Sequence, residues 1–437
     1  MDTKKIPVVS KQLLAPFIII TSLFALWGIA NDLTNPMVSA FKKVMPELSN
    51  MQASLVQFAF YIGYASMAIP AALFIRKYSY KSGIILGLVL YAIGAFLFYP
   101  AAEYEEYTYF LVSLYIITCG LAFLETTSNP LVLALGAKET ATQRLNLAQA
   151  FNPIGSLTGI FLAQFIIIDA LRSDDYTAEA YAALTSEETA AVRENDLGII
   201  SYPYIGLGIL VVIILLIILK TKMPKTSDED KMPLGEAVKK LFANKRYPLG
   251  VVAQAFYVGA QIMCWTYIYQ YVDNLNIALG TELTASWWQV GAMCSFLIGR
   301  WIGTALMKKV NPSKLLMYFG LGGIICCAGA MFLPGMAGLF ALVAISLFMS
   351  IMFPTIYGIA LKDMGDEAKI GSAGLVMAIV GGAVMPLLQA LILDIDGPGL
   401  ADTLIAGVPE VNFSYILPLI CLGVVALYGY ITSKPNA

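Results

Sequence analysis

The chain has 437 residues, of which 59% are hydrophobic and only 13% charged. Soluble domains average about 25% charged residues, so this composition excludes an ordinary soluble protein. The formal net charge of −2 gives no reason to expect nucleic acid as a partner. Uncharged runs of about 20 residues recur, the length needed to cross a bilayer core of about 30 Å as helix. In lipid a helix satisfies its own backbone, so the expected fold class is an all-α polytopic membrane protein.

Twelve spans are expected, near residues 13–45, 50–75, 82–101, 107–136, 143–169, 202–220, 247–273, 285–307, 313–334, 337–361, 370–393 and 413–432. Several exceed the bilayer thickness, so tilt is expected. The first apolar run is too long for a removable signal peptide and lacks a small-residue cleavage site, so it is read as span 1.

Span 1 contains ANDLTNP, residues 30–36. Asp32 and Asn35 are three apart, on one helix face and about 4.5 Å apart along the axis. Pro36 cannot donate a hydrogen bond, which frees the carbonyl of Asp32 and implies a local break. Span 2 ends in a small-residue stretch and the basic pair Arg76 and Lys77.

Span 4 carries FLETTSNP, with Glu125, Ser128 and Asn129 close to one face. Only Asp32, Glu125 and Arg300 are charges well inside spans. A charge at the bilayer centre costs roughly 2.5–3.5 kcal/mol even on the lenient insertion scale, and such residues face a bundle interior or a wet cavity. A functional role for both acids is favoured over packing or a structural hydrogen-bond knot.

Span 5 opens RLNLAQAFNP, where Asn146, Gln149 and Asn152 recur at helical spacing. A stripe of amides can form a hydrogen-bonding wall for a polyhydroxylated solute. It can equally be helix–helix glue, worth about 0.6 kcal/mol per bond. The outer loop near 170–200 is acidic and alanine-rich, with a short helix over the outer face expected. The longest inner loop, near 221–246, divides the spans six and six. Its GEAVKKLFAN portion reads either as an amphipathic helix on the membrane surface or as a solvated linker.

Span 7 reads AQAFYVGAQIMCWTYIYQY, with Gln254, Tyr257, Gln261 and Trp265 on one side. Amides beside aromatic rings suit a sugar, whose hydroxyls pair with amides and whose C–H faces lie on rings. Arg300 in span 8 is read as structural or gating. Spans 2 and 8 both end in a basic pair and a short turn, and spans 4 and 10 share a weakly similar stretch around Pro130 and Pro354. Such parallel repeats mark a two-half transporter with its site at the midplane.

Of the 27 lysines and arginines, 22 fall in segments that are inside if the N-terminus is inside, and four fall outside. Both termini are therefore expected in the cytoplasm. The six cysteines all lie in apolar spans, as buried thiols rather than a disulfide framework. There is no histidine, so any proton chemistry must use Asp or Glu.

Taken in order, ALWGIAND, QFAFYIGYASMAIPAAL, FLETTSNP, RLNLAQAFN, AQAFYVGAQIMCWTYIYQY, FLIGRWIGT and FMSIMFPTIYGIALKDMG resemble the major facilitator superfamily. The resemblance is to its L-fucose:proton symporter family, which also holds glucose, galactose and N-acetylglucosamine permeases. It implies twelve transmembrane helices in two six-helix pseudo-repeat domains, here residues 1–220 and 247–437 with a cytoplasmic linker at 221–246. It implies alternating access and uptake of a monosaccharide, L-fucose first, with protons. The family's span 4 carboxylate matches Glu125. Its span 1 aspartate falls where this chain has Asn35, and Asp32 stands where the family usually has a neutral residue. The acid has thus moved back one turn on the same face.

The residues and the resemblance together give a set of expectations. Asp32 and Glu125 couple the proton. Asn31, Asn35, Gln57, Asn129, Asn146, Gln149, Asn152, Tyr257, Gln261, Trp265 and Tyr357 contact substrate. Arg300, Arg76 and Lys77 gate. No metal site and no cofactor are expected beyond the proton as coupling ion. The expected partners are the sugar and the lipid bilayer, with no nucleic acid and no obligate protein partner, the chain acting as a monomer in the bacterial inner membrane. A sodium-coupled or uniport hexose permease is the alternative. An intramembrane hydrolase would need the two acids side by side.

Overall fold

A computed structural model describes residues 7–34, 37–45, 48, 50–176, 180–181, 183–221, 223, 233–365, 367–393, 404–405 and 407–434. Span 1 is described as α1 (Leu14–Thr34) and as α2 (Met37–Val44). Asn35 and Pro36, where the sequence implies a local break, lie between them and outside the described residues.

Span 2 is α3 (Asn50–Lys77) and span 3 is α4 (Tyr80–Phe96), which runs on as α5 (Phe98–Glu103). Ser79 caps α4 by accepting a hydrogen bond from the Ser82 amide. Span 4 is α6 (Tyr107–Ala134). Span 5 is divided into α7 (Ala141–Gln149) and α8 (Asn152–Leu162). Pro153 removes one donor at this joint.

Span 6 is α9 (Ser186–Lys220), 35 residues long. The short helix expected over the outer face falls partly on residues outside the described ones; Ala180 and Tyr181 are helical, and α9 begins beyond them at Ser186. Its start is fixed by a capping box. The Thr185 side chain accepts from the Glu188 amide, and the Glu188 carboxylate accepts from the Thr185 amide. Such a pair satisfies two helix-end donors that would otherwise lack partners.

The inner loop does form a helix, α10 (Leu234–Ala243). Span 7 is α11 (Arg246–Thr266) and α12 (Ile268–Leu279), and span 8 is α13 (Ala285–Leu306). Span 9 is α14 (Pro312–Phe332), with Pro312 in the first turn and Asn311 as its cap. Span 10 is α15 (Met336–Met349) and α16 (Met352–Ala360). Span 11 is α17 (Glu367–Met377) and α18 (Gly381–Leu393). The short α19 (Glu410–Phe413) leads into span 12, α20 (Ile416–Thr432).

Among the described residues, eleven helices are long and apolar enough to cross a membrane. The twelfth, α13, has 22 residues, about 33 Å at 1.5 Å per residue. It carries Arg300 and Gln289, which dilute its apolar character. None of the six cysteines is bonded, but the expectation that all are buried fails at two. Cys326 is half-buried and Cys294 is exposed on α13. A thiol that faces outward from a bundle helix loses nothing when the surroundings are hydrocarbon.

Packing groups the residues into two compact units. One holds 15–131 and 154–227, and the other holds 1–14, 132–153 and 228–437. Within each unit the same close crossings recur. In the first, Gly155 of span 5 meets the Ala25 carbonyl of span 1, and Gly63 of span 2 meets Thr118 of span 4. In the second, Gly381 of span 11 meets the Ala255 carbonyl of span 7, and Gly299 of span 8 meets the Leu347 carbonyl of span 10. Small residues let helix backbones approach where lipid supplies no hydrophobic drive. The repeat that was faint in sequence is therefore written in the positions of glycines.

A methyl group at Gly381 would overlap the Ala255 carbonyl. Gly381→Ala is predicted to cost about 1–3 kcal/mol, as overpacking does, and to lower the thermal unfolding midpoint in detergent. Gly206→Ala meets open space and is predicted to leave that midpoint unchanged or raise it.

Candidate functional site

The candidate residues fall into two groups, one in each unit. In the first unit Asp32 lies in the last turn of α1, 8% exposed, and Glu125 lies midway along α6, 9% exposed. Helix α1 is tied to its neighbours by three polar bonds. Trp27 Nε1 donates to the Leu121 carbonyl at 3.3 Å, and the Tyr91 hydroxyl donates to the Leu26 carbonyl at 3.4 Å. The hydroxyls of Thr34 and Tyr204 meet at 3.3 Å. Tyr204 itself stacks on Phe98 with ring centroids 3.7 Å apart. The turn that carries Asp32 is thereby fixed from two directions.

Asn129 Nδ2 donates to the Glu125 carbonyl at 3.1 Å, one helical turn back, and is fully buried. Its amide therefore serves helix α6 itself. Asn31 is half-buried, and its Oδ1 has no hydrogen-bond partner. Thr126 Oγ1 and Ser128 Oγ are also buried without partners. Buried polar groups are nearly always paired, so the two orphaned hydroxyls that flank Glu125 in sequence make this stretch a candidate for contact with water or a polar solute.

Two residues outside the expected set join the acids. Tyr61 lies within electrostatic range of Asp32, and Tyr64 within range of Glu125 and of Tyr61. They are three apart on α3 and so share a face. The signal was available in QFAFYIGY, where two tyrosines stand at helical spacing. It was hidden because aromatic residues are common in any apolar span.

The second unit holds the amides and rings. Asn146 is fully buried, and its Nδ2 donates to Thr355 Oγ1 of α16 at 3.1 Å and to the Thr142 carbonyl at 3.0 Å. Arg300 is 2% exposed, and its Nη1 donates to the Gln149 carbonyl at 3.1 Å. Gln143 Nε2 donates to the Thr304 carbonyl at 3.1 Å. Three polar bonds thus fasten α7 to α13 and α16. Arg300 also sits 5.0 Å from the centre of the Phe296 ring. Its Nε has no partner.

Tyr257 is fully buried with an unpartnered hydroxyl, in electrostatic range of Arg300. Tyr357 is fully buried, its ring stacked near Phe353 at 6.3 Å. Gln149 is 6% exposed and Asn152 half-buried, at either side of the joint between α7 and α8. Gln261 is half-buried. Trp265 is half-buried, donates from Nε1 to Ser346 Oγ at 3.1 Å, and meets Phe296 edge-on.

Gln254 is fully buried, and neither atom of its amide has a partner. It stands one turn before Tyr257 on the same face. The sequence showed its spacing but did not show that it lacked an internal bond.

Asn35 and the side chain of Gln57 lie outside the described residues. Arg76 is half-buried and Lys77 exposed, in the last turn of α3. Lys77 Nζ lies 5.3 Å from the Tyr78 ring centre. Arg76 is twelve residues beyond Tyr64, about 18 Å along the helix, so this basic pair is remote from the acids. Among the described residues no cluster of three or more His, Cys, Asp or Glu could hold a metal ion.

The model of the Major Facilitator Superfamily matches residues 12–388. The chain belongs to the major facilitator superfamily. It is accordingly a transporter built from twelve membrane helices in two six-helix repeats, and not an enzyme. It is 51% identical to the L-fucose-proton symporter of Haemophilus influenzae, over 97% of each chain. It is 34% identical to the L-fucose-proton symporter of Escherichia coli, over 97% of this chain and 94% of that one. Among solved structures it resembles the superfamily transporter FucP in the outward conformation. The TM-score is 0.84 at 34% identity, over 96% of this chain and 99% of that one.

Within a superfamily transporter, an unpaired buried amide such as Gln254 is expected to serve solute. Gln254→Leu is predicted to stabilise the empty protein by about 1–3 kcal/mol, the desolvation penalty of an orphaned polar group. It is predicted at the same time to raise the half-saturation concentration for transport about tenfold, or 1.4 kcal/mol. Thermal unfolding and counterflow kinetics on one preparation check both.

Proposed function

We propose that this protein imports L-fucose by proton symport, with Asp32 and Glu125 as the proton-linked acids. The observation that carries the proposal is a pair of buried carboxylates in one unit of a chain 51% identical to an L-fucose-proton symporter. Asn31, Asn35, Gln57, Asn129, Asn146, Gln149, Asn152, Tyr257, Gln261, Trp265 and Tyr357 are proposed to contact the sugar, and Gln254 joins them. Arg300 is proposed to act at a gate through the Gln149 carbonyl, and Arg76 and Lys77 at a second.

The coupling is electrostatic. With a proton bound, an acid enters the closed state neutral. Without it, the protein closes over a buried anion, at roughly 2.5–3.5 kcal/mol per charge. The sugar-loaded, protonated carrier is the form that changes state readily. One positive charge moving through about 100 mV supplies about 2.3 kcal/mol, or roughly 50-fold accumulation.

The proposed setting is the bacterial inner membrane with both termini in the cytoplasm, which the basic residues of the inner loops support. The proposed domains remain 1–220 and 247–437 with a linker between them, and the proposed working form is a monomer. Neither coupling nor binding in this scheme calls for a cofactor or a metal.

The test is external pH in a weakly buffered suspension of energy-depleted vesicles. Adding L-fucose is predicted to give an alkaline shift. Labelled sugar entering without a shift would overturn proton coupling and point to sodium or uniport. A shift with another sugar and not with L-fucose would overturn the substrate. Asp32→Asn is predicted to abolish accumulation while exchange of bound sugar persists. Adding Asn35→Asp to it is predicted to restore accumulation, since the acid returns to the same face one turn on.

A further inference from the structure

Helix α10 has an apolar face that its own protein covers only in part. Ala237 and Leu241 are buried, 0% and 1% exposed, where α10 packs against α17. Leu241 there lies over Gly371, which leaves room for it. Leu234, Val238 and Phe242 are 46%, 37% and 63% exposed. At about 100° per residue, these three form one stripe directly beside the covered pair. The whole apolar arc spans roughly 140°, and the half that carries the largest side chain has no cover among the described residues.

Charge borders this arc. Lys239 is exposed next to the uncovered stripe, and Lys245 is exposed just past the helix end. On the other border Lys240 Nζ meets a Glu367 oxygen of α17 at 2.6 Å, with Glu367 only 3% exposed. The helix is thus fastened to span 11 on one side and presents apolar groups and lysines on the other. The next exposed large apolar residues along the chain are Leu249 and Val252, on the first turns of span 7. An uncovered apolar stripe with lysines at its border, on a helix that directly precedes a membrane-crossing one, matches a helix lying in a bilayer interface.

We propose that α10 is a lipid-bound strap. Leu234, Val238 and Phe242 insert among acyl chains, Lys239 and Lys245 hold the anionic headgroups of the same leaflet, and Lys240 with Glu367 passes the position of the strap to span 11. Anionic lipid is the occupant rather than another protein because the stripe lies only a few residues before the exposed apolar first turns of a membrane-crossing helix and its border is cationic. The membrane placement follows from the superfamily and does not depend on which solute is carried.

The test uses the full chain with Phe242→Trp in vesicles of phosphatidylcholine, with and without phosphatidylglycerol, whose acyl chains carry bromine near the headgroup. The spectrum is read as the difference from the native protein, which holds five tryptophans of its own. The added tryptophan is expected to emit at short wavelength and to be quenched, because an interfacial helix sits about 5–10 Å into the headgroup and acyl boundary. Quenching is expected to deepen with phosphatidylglycerol, and Lys239→Gln with Lys245→Gln is expected to remove that increase. Val238→Trp is the second probe should Phe242→Trp fail to fold. Unquenched, water-like emission from the folded variant overturns the strap. Quenching that ignores phosphatidylglycerol overturns the role of the lysines. Neither readout involves transport, so failure here stands apart from failure of the symport proposal.

Discussion

The cost of holding charge away from water organises this protein. Asp32 and Glu125 sit in one helical unit at under a tenth exposure, each with a tyrosine of α3 in electrostatic range. Such groups persist only if their surroundings are fixed, because a loose cavity would let water in and remove the difference between charged and neutral states. The rest of the unit supplies that fixity. Trp27, Thr34, Tyr91 and Tyr204 tie α1 to three other helices, and Gly155 brings span 5 against its backbone.

The second unit solves a different problem with the same means. Its candidate side chains are neutral amides and rings, and two buried arginines stand on their helices, Arg144 of α7 and Arg300 of α13. Arg300 is held by a backbone carbonyl and an aromatic face rather than by a carboxylate. In the proposed gating role such a contact separates more readily than a buried salt bridge. The bonds from Gln143 and Asn146 are of the same kind. A gate made of neutral and charge-assisted hydrogen bonds opens more cheaply than one made of buried salt bridges, whose separation strands two charges.

The two proposals rest on different elements. The acids proposed for coupling lie within spans 1 and 4, whereas α10 lies in the loop before span 7 and meets span 11 through Lys240 and Glu367. A strap at a loop can change the ease with which a helix moves without touching solute. In the two proposals, buried polar residues select the solute and the loop helix meets the membrane.

The membrane fold, the span count and the buried acids were legible in the sequence. A run of twenty uncharged residues has one stable form in lipid, and a carboxylate within it has few innocent explanations. The sequence also held the repeat and the amide stripe, because helical periodicity is a property of spacing alone. Other features were decided only by tertiary packing. Span 6 reaches back to Ser186, where Thr185 and Glu188 cap each other. Asn129 donates from Nδ2 to its own helix, whereas Gln254 keeps both amide atoms unpaired. Spacing puts a polar group on a face. Only the packed neighbours determine whether that group already has a partner, and a group without one is what a solute can use.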